Sequence, residues 1–168
     1  MYTENMKVLI LFATNSGATF FAASEVSSVC QEKHHDVTLK SVAEAQPEIL
    51  TTFDLVFLGS NTWNYNNLEG QVHTLFTDFF QKCQGRKFPN TRFAVFGLGD
   101  ASYTQLAAST DHLRQFVTDH KGVLVGSPIK IDRFYEDRKA KEALIRKWTE
   151  HVLLEFEKQT NPIAAYHA

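Results

Sequence analysis

The sequence predicts an α/β fold in which a doubly wound sheet of five parallel strands carries helices on both faces. Two observations lead to this prediction. Short apolar runs of strand length alternate with longer helical patterns along the whole chain. The first run, residues 6–13 (MKVLILFA), is apolar almost without interruption, as expected for a strand that is covered on both faces of a parallel sheet.

Five segments are predicted as strands because they are continuously apolar or alternate apolar with polar residues. They are residues 6–13, 36–42, 54–60, 92–99 and 122–131. Four further segments are predicted as helices because their apolar residues recur every three or four positions. They are residues 17–33, 68–82, 104–120 and 136–158. The connection over residues 43–53 contains Pro47 and is too short to predict a helix.

The length of 168 residues suits one domain with a proper core, expected over residues 1–160, and a loose tail over residues 161–168. An apolar content of 43% is that of an ordinary globular domain. The net charge of −2 argues against nucleic-acid binding, which normally requires a basic patch. No segment approaches the ~18 apolar residues that span a membrane, and the N-terminus lacks a secretory signal, so no membrane association is expected.

Cys30 and Cys83 form no CxxC pair, so they are interpreted as structural thiols in a reducing compartment, and the expected location is cytoplasmic. The seven histidines form no HExxH motif and no recognisable pairing with a cysteine. We therefore predict neither a metal site nor a catalytic constellation. The expected oligomeric state is a monomer.

Three polar loops follow the first, third and fourth predicted strands, whose carboxyl ends meet at the ligand-binding edge of such a sheet. In the first loop, residues 14–19 (TNSGAT), hydroxyls and the N–H groups of a helix N-terminus can surround a phosphate. The loop lacks both the lysine of a triphosphate-binding loop and the GxGxxG of a dinucleotide site, so a terminal monophosphate fits best. The alternative is an ordinary turn in which Thr14 or Ser16 caps the following helix.

The other two loops each contain a large aromatic residue, Trp63 in residues 60–66 (SNTWNYN) and Tyr103 in residues 97–103 (GLGDASY). Two aromatic rings beside a phosphate site suit a flat conjugated ligand that is stacked between them. Taken singly, each ring is more often a packing residue. Together with the first loop, they indicate flavin mononucleotide (FMN).

Over roughly residues 6–156 the sequence resembles flavodoxin, and it resembles the short-chain type in lacking a long insertion near residues 122–131. The first loop matches the family pattern [ST]-x-[ST]-G-x-T, residues 61–64 match its tryptophan loop, and residues 97–103 match its GxGDSSY loop. The sequence of the last loop is also similar to that of the FMN domain of diflavin reductases. The resemblance implies the flavodoxin-like strand order 2-1-3-4-5.

The resemblance also implies a low-potential electron carrier that holds FMN without a covalent bond and exchanges electrons with a flavodoxin reductase and acceptor enzymes. The alternative is a flavodoxin-like FMN-dependent NAD(P)H or quinone reductase, which a Trp–Tyr sandwich over both flavin faces disfavours. A flavin-free signalling module is a third possibility. The implied cofactor-binding residues are Thr14, Asn15, Ser16, Gly17, Ala18, Thr19, Asn61, Thr62, Trp63, Asn64, Tyr65, Gly97, Leu98, Gly99, Asp100 and Tyr103.

The sequence departs from the family pattern after the tryptophan, where Asn64 stands in place of a frequent glycine. In the family the peptide at this position rotates to meet the reduced flavin, and asparagine adopts positive φ less freely than glycine does. We therefore expect a first-electron potential below that of a glycine variant. The loops also carry few carboxylates, so the second-electron potential is expected to be less negative than in strongly acidic relatives.

Overall fold

The computed structural model describes residues 5–100 and 106–161, which form a central sheet with helices on both faces. The strands in this part of the chain are β1 (Lys7–Ala13), β2 (Asp36–Ser41), β3 (Leu55–Tyr65), β4 (Leu68–Val72), β5 (Arg92–Gly99), β6 (Val123–Leu124) and β7 (Ile129–Asp132). The α-helices are α1 (Ala18–Glu32), α2 (Thr74–Lys82), α3 (Ser109–Asp119) and α4 (Arg138–Thr160). Two short 3-10 helices, Val42–Glu44 and Pro47–Thr51, occupy most of the connection between β2 and β3.

The parallel strands lie in the order β2-β1-β3-β5-β6, and β7 also pairs with β5 in parallel. This confirms the predicted order of five strands, with one difference. The predicted fifth strand, residues 122–131, is divided into β6 and β7. Pro128 lies in the interruption, and a proline has no N–H group to donate to a continuous ladder.

Side chains of β1 alternate between two hydrophobic clusters, one on each face of the sheet. Val8 and Ile10 pack on the face covered by α1 and α4, whereas Leu9 and Leu11 pack on the face covered by α2 and α3. All four side chains are completely buried. The continuous apolar run in the sequence therefore has the cause predicted for it, burial on both faces.

Residues 68–72 are a strand, so the prediction of a helix over residues 68–82 is wrong in its first part. Asn66 and Asn67 both adopt the left-handed conformation, with φ of 53° and 62°, and Tyr65 pairs with Leu68. This is the backbone of a two-residue hairpin, in which asparagine is tolerated at both positions. The hairpin extends β3 through residues 61–65, which the sequence predicted as loop, and pairs them antiparallel with β4.

Helix α3 begins at Ser109, several residues after the predicted start at residue 104, and residues 106–108 are a turn. Residues 101–105 lie outside the described part of the chain. The other helices begin within two residues of the predicted positions except α2, which begins at Thr74 after the hairpin. Helix α4 ends at Thr160, two residues beyond the predicted end at residue 158, and residues 162–168 of the expected tail are outside the described part.

Candidate cofactor site

A pocket of about 330 Å³ opens at the carboxyl edge of the sheet, between the loop after β1, the carboxyl-terminal parts of β3 and β5, and the segment after β7. Nine of the predicted site residues line it, namely Asn15, Ser16, Ala18, Asn61, Thr62, Trp63, Leu98, Gly99 and Asp100. Thr14, Gly17 and Thr19 belong to the same first loop or the helix turn after it, and Asn64, Tyr65 and Gly97 belong to β3 and β5. Tyr103 lies outside the described residues, so the predicted aromatic sandwich stays a prediction.

The first loop ends in a helix N-terminus that no described side chain caps. Gly17 is the N-cap of α1 and has a left-handed backbone with φ of 90°, which a residue with a Cβ adopts only at a cost. The Thr14 Oγ1 atom accepts a hydrogen bond from the Gly17 N–H at 2.9 Å and thus stabilises the turn before the helix. The alternative in which Thr14 or Ser16 caps α1 is therefore wrong.

Two buried polar side chains beside the pocket have no hydrogen-bond partner within the described part of the chain. They are the Thr19 hydroxyl, in the first turn of α1, and the amide of Asn61, at the pocket wall. A buried polar group without a partner costs about 1–3 kcal/mol, so such groups normally mark a place where a ligand or water completes the bonding. Together with the uncapped N-terminus of α1, they fit a phosphate monoester with adjoining hydroxyls.

Thr62 is hydrogen-bonded to Ser109, the first residue of α3. The Ser109 N–H donates to Thr62 Oγ1 at 3.2 Å, and the Thr62 hydroxyl donates to Ser109 Oγ at 2.8 Å. Ser109 Oγ in turn donates to the Ser60 carbonyl at 3.1 Å. The sequence did not identify Ser60 and Ser109 as supporting residues, because their proximity depends on how α3 packs against β3.

The two glycines of the third loop allow close packing against α3 and the turn before it. A Cβ atom at Gly97 would lie 2.7 Å from Ser109 Oγ, and one at Gly99 would lie 2.7 Å from the Ala107 backbone nitrogen. Real Cβ atoms essentially never lie this close to another heavy atom, so a side chain at either position would force its neighbours to move. The sequence predicts that these glycines let the backbone approach a ligand. At Gly97 the close neighbours are protein atoms, whereas Gly99 also lines the pocket.

Trp63 forms an exposed aromatic wall of the pocket, with 50% of its surface accessible. Its strand is tied to the first loop by Asn15, whose Nδ2 donates to the Tyr65 hydroxyl at 3.0 Å. The ring of Tyr65 meets the buried His73 ring edge-on, with centroids 5.9 Å apart. Tyr65 thus joins the hairpin to both the first loop and the start of α2.

A fourth segment, which was not among the predicted site residues, completes the pocket. Residues 133–136, between β7 and α4, all line it. The rule that directed attention to the other loops applies here too, because these residues follow the carboxyl end of a parallel strand. The predicted end of the fifth strand at residue 131 could therefore have indicated residues 133–136 as part of the site.

Arg133 supplies a positive charge that the first loop lacks. Its Nε lies 3.3 Å from Asp132 Oδ1 and 3.5 Å from Asp100 Oδ1, and its Nη1 lies 3.5 Å from Glu136 Oε2. Asp132 and then Glu136 raise the pKa of the Arg133 guanidinium, so it stays charged. The pocket as a whole therefore does contain a cation, although residues 14–19 do not.

Within residues 5–100 and 106–161, no group of three or more histidine, cysteine or acidic side chains is arranged to bind a metal ion. None of the helices there has both the length and the apolar character needed to cross a membrane. Cys30 and Cys83 are both buried and unpaired, as expected for structural thiols, and burial raises the pKa of each to about 12.

The fold and the pocket define a doubly wound α/β protein with a phosphate-binding loop and an aromatic wall at the carboxyl edge of its sheet. The chain belongs to the flavodoxin family, whose model matches residues 10–148. This confirms the resemblance inferred from the three loops. As a flavodoxin, the chain is an electron carrier with FMN as its cofactor, and the comparisons do not favour the FMN-dependent reductase.

Several known proteins are similar to this chain. The flavodoxin of Maridesulfovibrio salexigens is 28% identical over 127 residues, which are 75% of this chain and 86% of that protein. The structure of a Fusobacterium nucleatum flavodoxin bound to flavin mononucleotide has a TM-score of 0.76 at 17% identity and covers 90% of this chain and 99% of its own. An NADPH-dependent diflavin oxidoreductase of Emericella nidulans is 26% identical over 100 residues, 56% of this chain and 15% of that protein.

Proposed function

We propose that the pocket at the carboxyl edge of the sheet holds FMN, with its phosphate in residues 14–19 and its ring system beside Trp63 and residues 97–100. The observation that supports this proposal most strongly is the uncapped start of α1 next to the buried, unpartnered Thr19 hydroxyl. Hydrogen-bond donors are left open there, as a phosphate monoester requires. The bound flavin supplies the chemistry, because it accepts and releases electrons one at a time.

The chain's own residues bind the cofactor, orient it and shield it. N–H groups at the start of α1 and the Thr19 hydroxyl donate to the phosphate, and the helix dipole favours its charge. The Asn61 amide, which also has no described partner, offers a donor and an acceptor to the polar chain of the cofactor. Trp63 covers one face of the ring, and Tyr103 is proposed to cover the other. The backbone near Asn64, Gly99 and Asp100 contacts the polar edge of the ring.

Replacement of Thr19 by valine tests the phosphate site, because the substitution keeps the shape and removes the hydroxyl. We expect Thr19→Val to weaken FMN binding about tenfold or more, as for the loss of a hydrogen bond to a charged group. The affinity is measured by quenching of flavin fluorescence on titration of the flavin-free protein. Thr149→Val is the matched control, since Thr149 is also a fully buried helical threonine but lies in α4.

Two results would contradict the proposed site. Purified protein that neither carries a flavin nor binds FMN would exclude the function itself. Equal FMN affinities for Thr19→Val, Thr149→Val and the unaltered protein would show that the phosphate lies elsewhere.

We further propose that the protein acts as a cytoplasmic, low-potential carrier between a flavodoxin reductase and acceptor enzymes. Family membership supports redox partners in general, and the particular ones are to be identified by electron transfer from candidate reductases to the purified protein. We also propose that residues 1–160 form one domain and that the protein is a monomer. Sedimentation of the flavin-loaded protein at several concentrations tests the oligomeric state.

A further inference from the structure

The Tyr135 hydroxyl reaches the first loop from a segment that is itself firmly anchored. The Arg133 N–H donates to the Gly99 carbonyl at 2.9 Å, and the Glu136 N–H donates to the Arg133 carbonyl at 3.0 Å. Phe134 is buried in the hydrophobic cluster that α1 and α4 cover. The backbone on both sides of Tyr135 is therefore fixed, although half of the Tyr135 surface is exposed.

Tyr135 and Thr14 hold the two ends of one peptide unit. The Tyr135 hydroxyl donates to the Ser16 carbonyl at 2.8 Å across 119 residues of sequence. The N–H of the same unit, which belongs to Gly17, donates to Thr14 Oγ1 at 2.9 Å. Because a peptide unit is planar, bonds at both its carbonyl and its N–H determine its orientation.

The orientation of this unit matters for an anion. A carbonyl oxygen carries partial negative charge, so it repels a phosphate. The hydrogen bond from Tyr135 gives the Ser16 carbonyl a partner in the protein and keeps it in that direction. The next residues begin α1, where the first N–H groups lack partners within the helix. Thr19, two residues beyond Gly17, is fully buried, and its hydroxyl has no partner among the described residues.

We propose that Tyr135 is a positioning residue for the phosphate. Its hydroxyl holds the peptide between Ser16 and Gly17 in the orientation that accepts a phosphate monoester, and the site thereby selects FMN over riboflavin, which lacks the phosphate. This inference rests on the proposed function, in which residues 14–19 bind the phosphate of FMN.

Tyr135→Phe isolates the hydroxyl, because the ring that lines the pocket remains. Flavin-free protein is titrated with FMN and separately with riboflavin, and flavin fluorescence is measured. We expect the dissociation constant of FMN to rise about two- to tenfold, as for the loss of one hydrogen bond, and that of riboflavin to stay unchanged. The selectivity ratio is the decisive quantity, since a general loosening of the pocket affects both ligands alike.

Thr52→Val is the matched control. The Thr52 hydroxyl also donates to a backbone carbonyl at an exposed site, that of Ile49 at 2.8 Å, but it lies before β3 at the opposite edge of the sheet. Neither affinity should change in this variant.

Equal weakening of both flavins by Tyr135→Phe, or no weakening of either, would overturn the positioning role. Failure of the unaltered protein to prefer FMN over riboflavin would instead refute the proposed phosphate site. The two failures are therefore distinguishable.

Discussion

The amide of Asn15 donates a hydrogen bond to the hydroxyl of Tyr65 at 3.0 Å and joins the loop after β1 to the hairpin formed by β3 and β4. The two residues are 50 positions apart, so the contact exists only when the hairpin stands beside the loop. Because the cofactor is proposed to lie between these two segments, their relative position bears directly on its affinity.

Tyr65→Phe is expected to weaken FMN binding by about 0.5–1.5 kcal/mol, the usual net value of one hydrogen bond. In an Asn15→Ala background the same substitution should have no further effect, because the partner is already gone. Fluorescence titration of the four proteins in this double-mutant cycle measures the coupling. Strictly additive effects would show that the bond does not contribute to binding.

Ser109→Ala is expected to destabilise the protein by about 1–3 kcal/mol. Ser109 is completely buried, and its hydroxyl both accepts from Thr62 and donates to the Ser60 carbonyl, so its removal leaves buried groups without partners. Urea unfolding of the flavin-free protein measures the loss. Ser24→Ala, which removes a hydroxyl bonded within α1 at a solvent-exposed site, should change stability by less than about 0.5 kcal/mol.

Stability is expected to fall on mild acidification because burial lowers the pKa of His73 and of His35 below the ordinary value. Both side chains accept hydrogen bonds from backbone N–H groups, His73 from Leu75 and His35 from Met6. On acidification these two histidines bind protons near pH 6.5 in the unfolded chain, but only at lower pH in the folded protein. The free energy of unfolding should therefore change little between about pH 7.5 and 8 and decline below about pH 6.5, by at most about 1.4 kcal/mol per pH unit for each histidine.

Urea unfolding between pH 8 and 5.5 checks this dependence. His73→Asn retains a side-chain acceptor at the start of α2 but does not titrate, so its decline should be smaller. A decline as steep as that of the unaltered protein would exclude His73 as a cause.

Asn64→Gly is expected to raise the first-electron reduction potential. Asn64 lies in β3 between Trp63 and Tyr65, where the pairing with β4 is irregular. Glycine adopts positive φ more easily than asparagine, by up to about 1 kcal/mol, and a rotated peptide at this position is thereby favoured. A spectroelectrochemical titration of both proteins measures the difference, and identical potentials would refute the idea.

Arg133→Gln is expected to lower the second-electron potential, because it removes the cation beside Asp100 at the pocket wall. Two unit charges ~10 Å apart at an effective dielectric of ~40 interact by about 0.8 kcal/mol, so the shift should be small and should shrink at high salt. The same titration at low and high ionic strength measures it. A shift in the opposite direction, or one independent of salt, would contradict an electrostatic cause.

Local sequence determined much of this protein. The continuous apolar run of β1 predicted burial on both faces of the sheet, because alternate side chains of a strand point to opposite sides. The polar loops after the first, third and fourth predicted strands identified the edge at which nine of the predicted site residues line the pocket. Both inferences depend on short-range pattern and on one general rule of parallel sheets, so no knowledge of long-range packing was needed.

Tertiary structure decided the rest. Leu68 and Val72 are spaced as on a helix, yet the left-handed Asn66 and Asn67 turn the chain into a hairpin that pairs with β3. Tyr135 meets Ser16 only because residues 133–136 cross the edge of the sheet between β7 and α4. A periodic pattern reports only the neighbours within one element, whereas these contacts join residues far apart in the chain, and their energies exist only in the folded state.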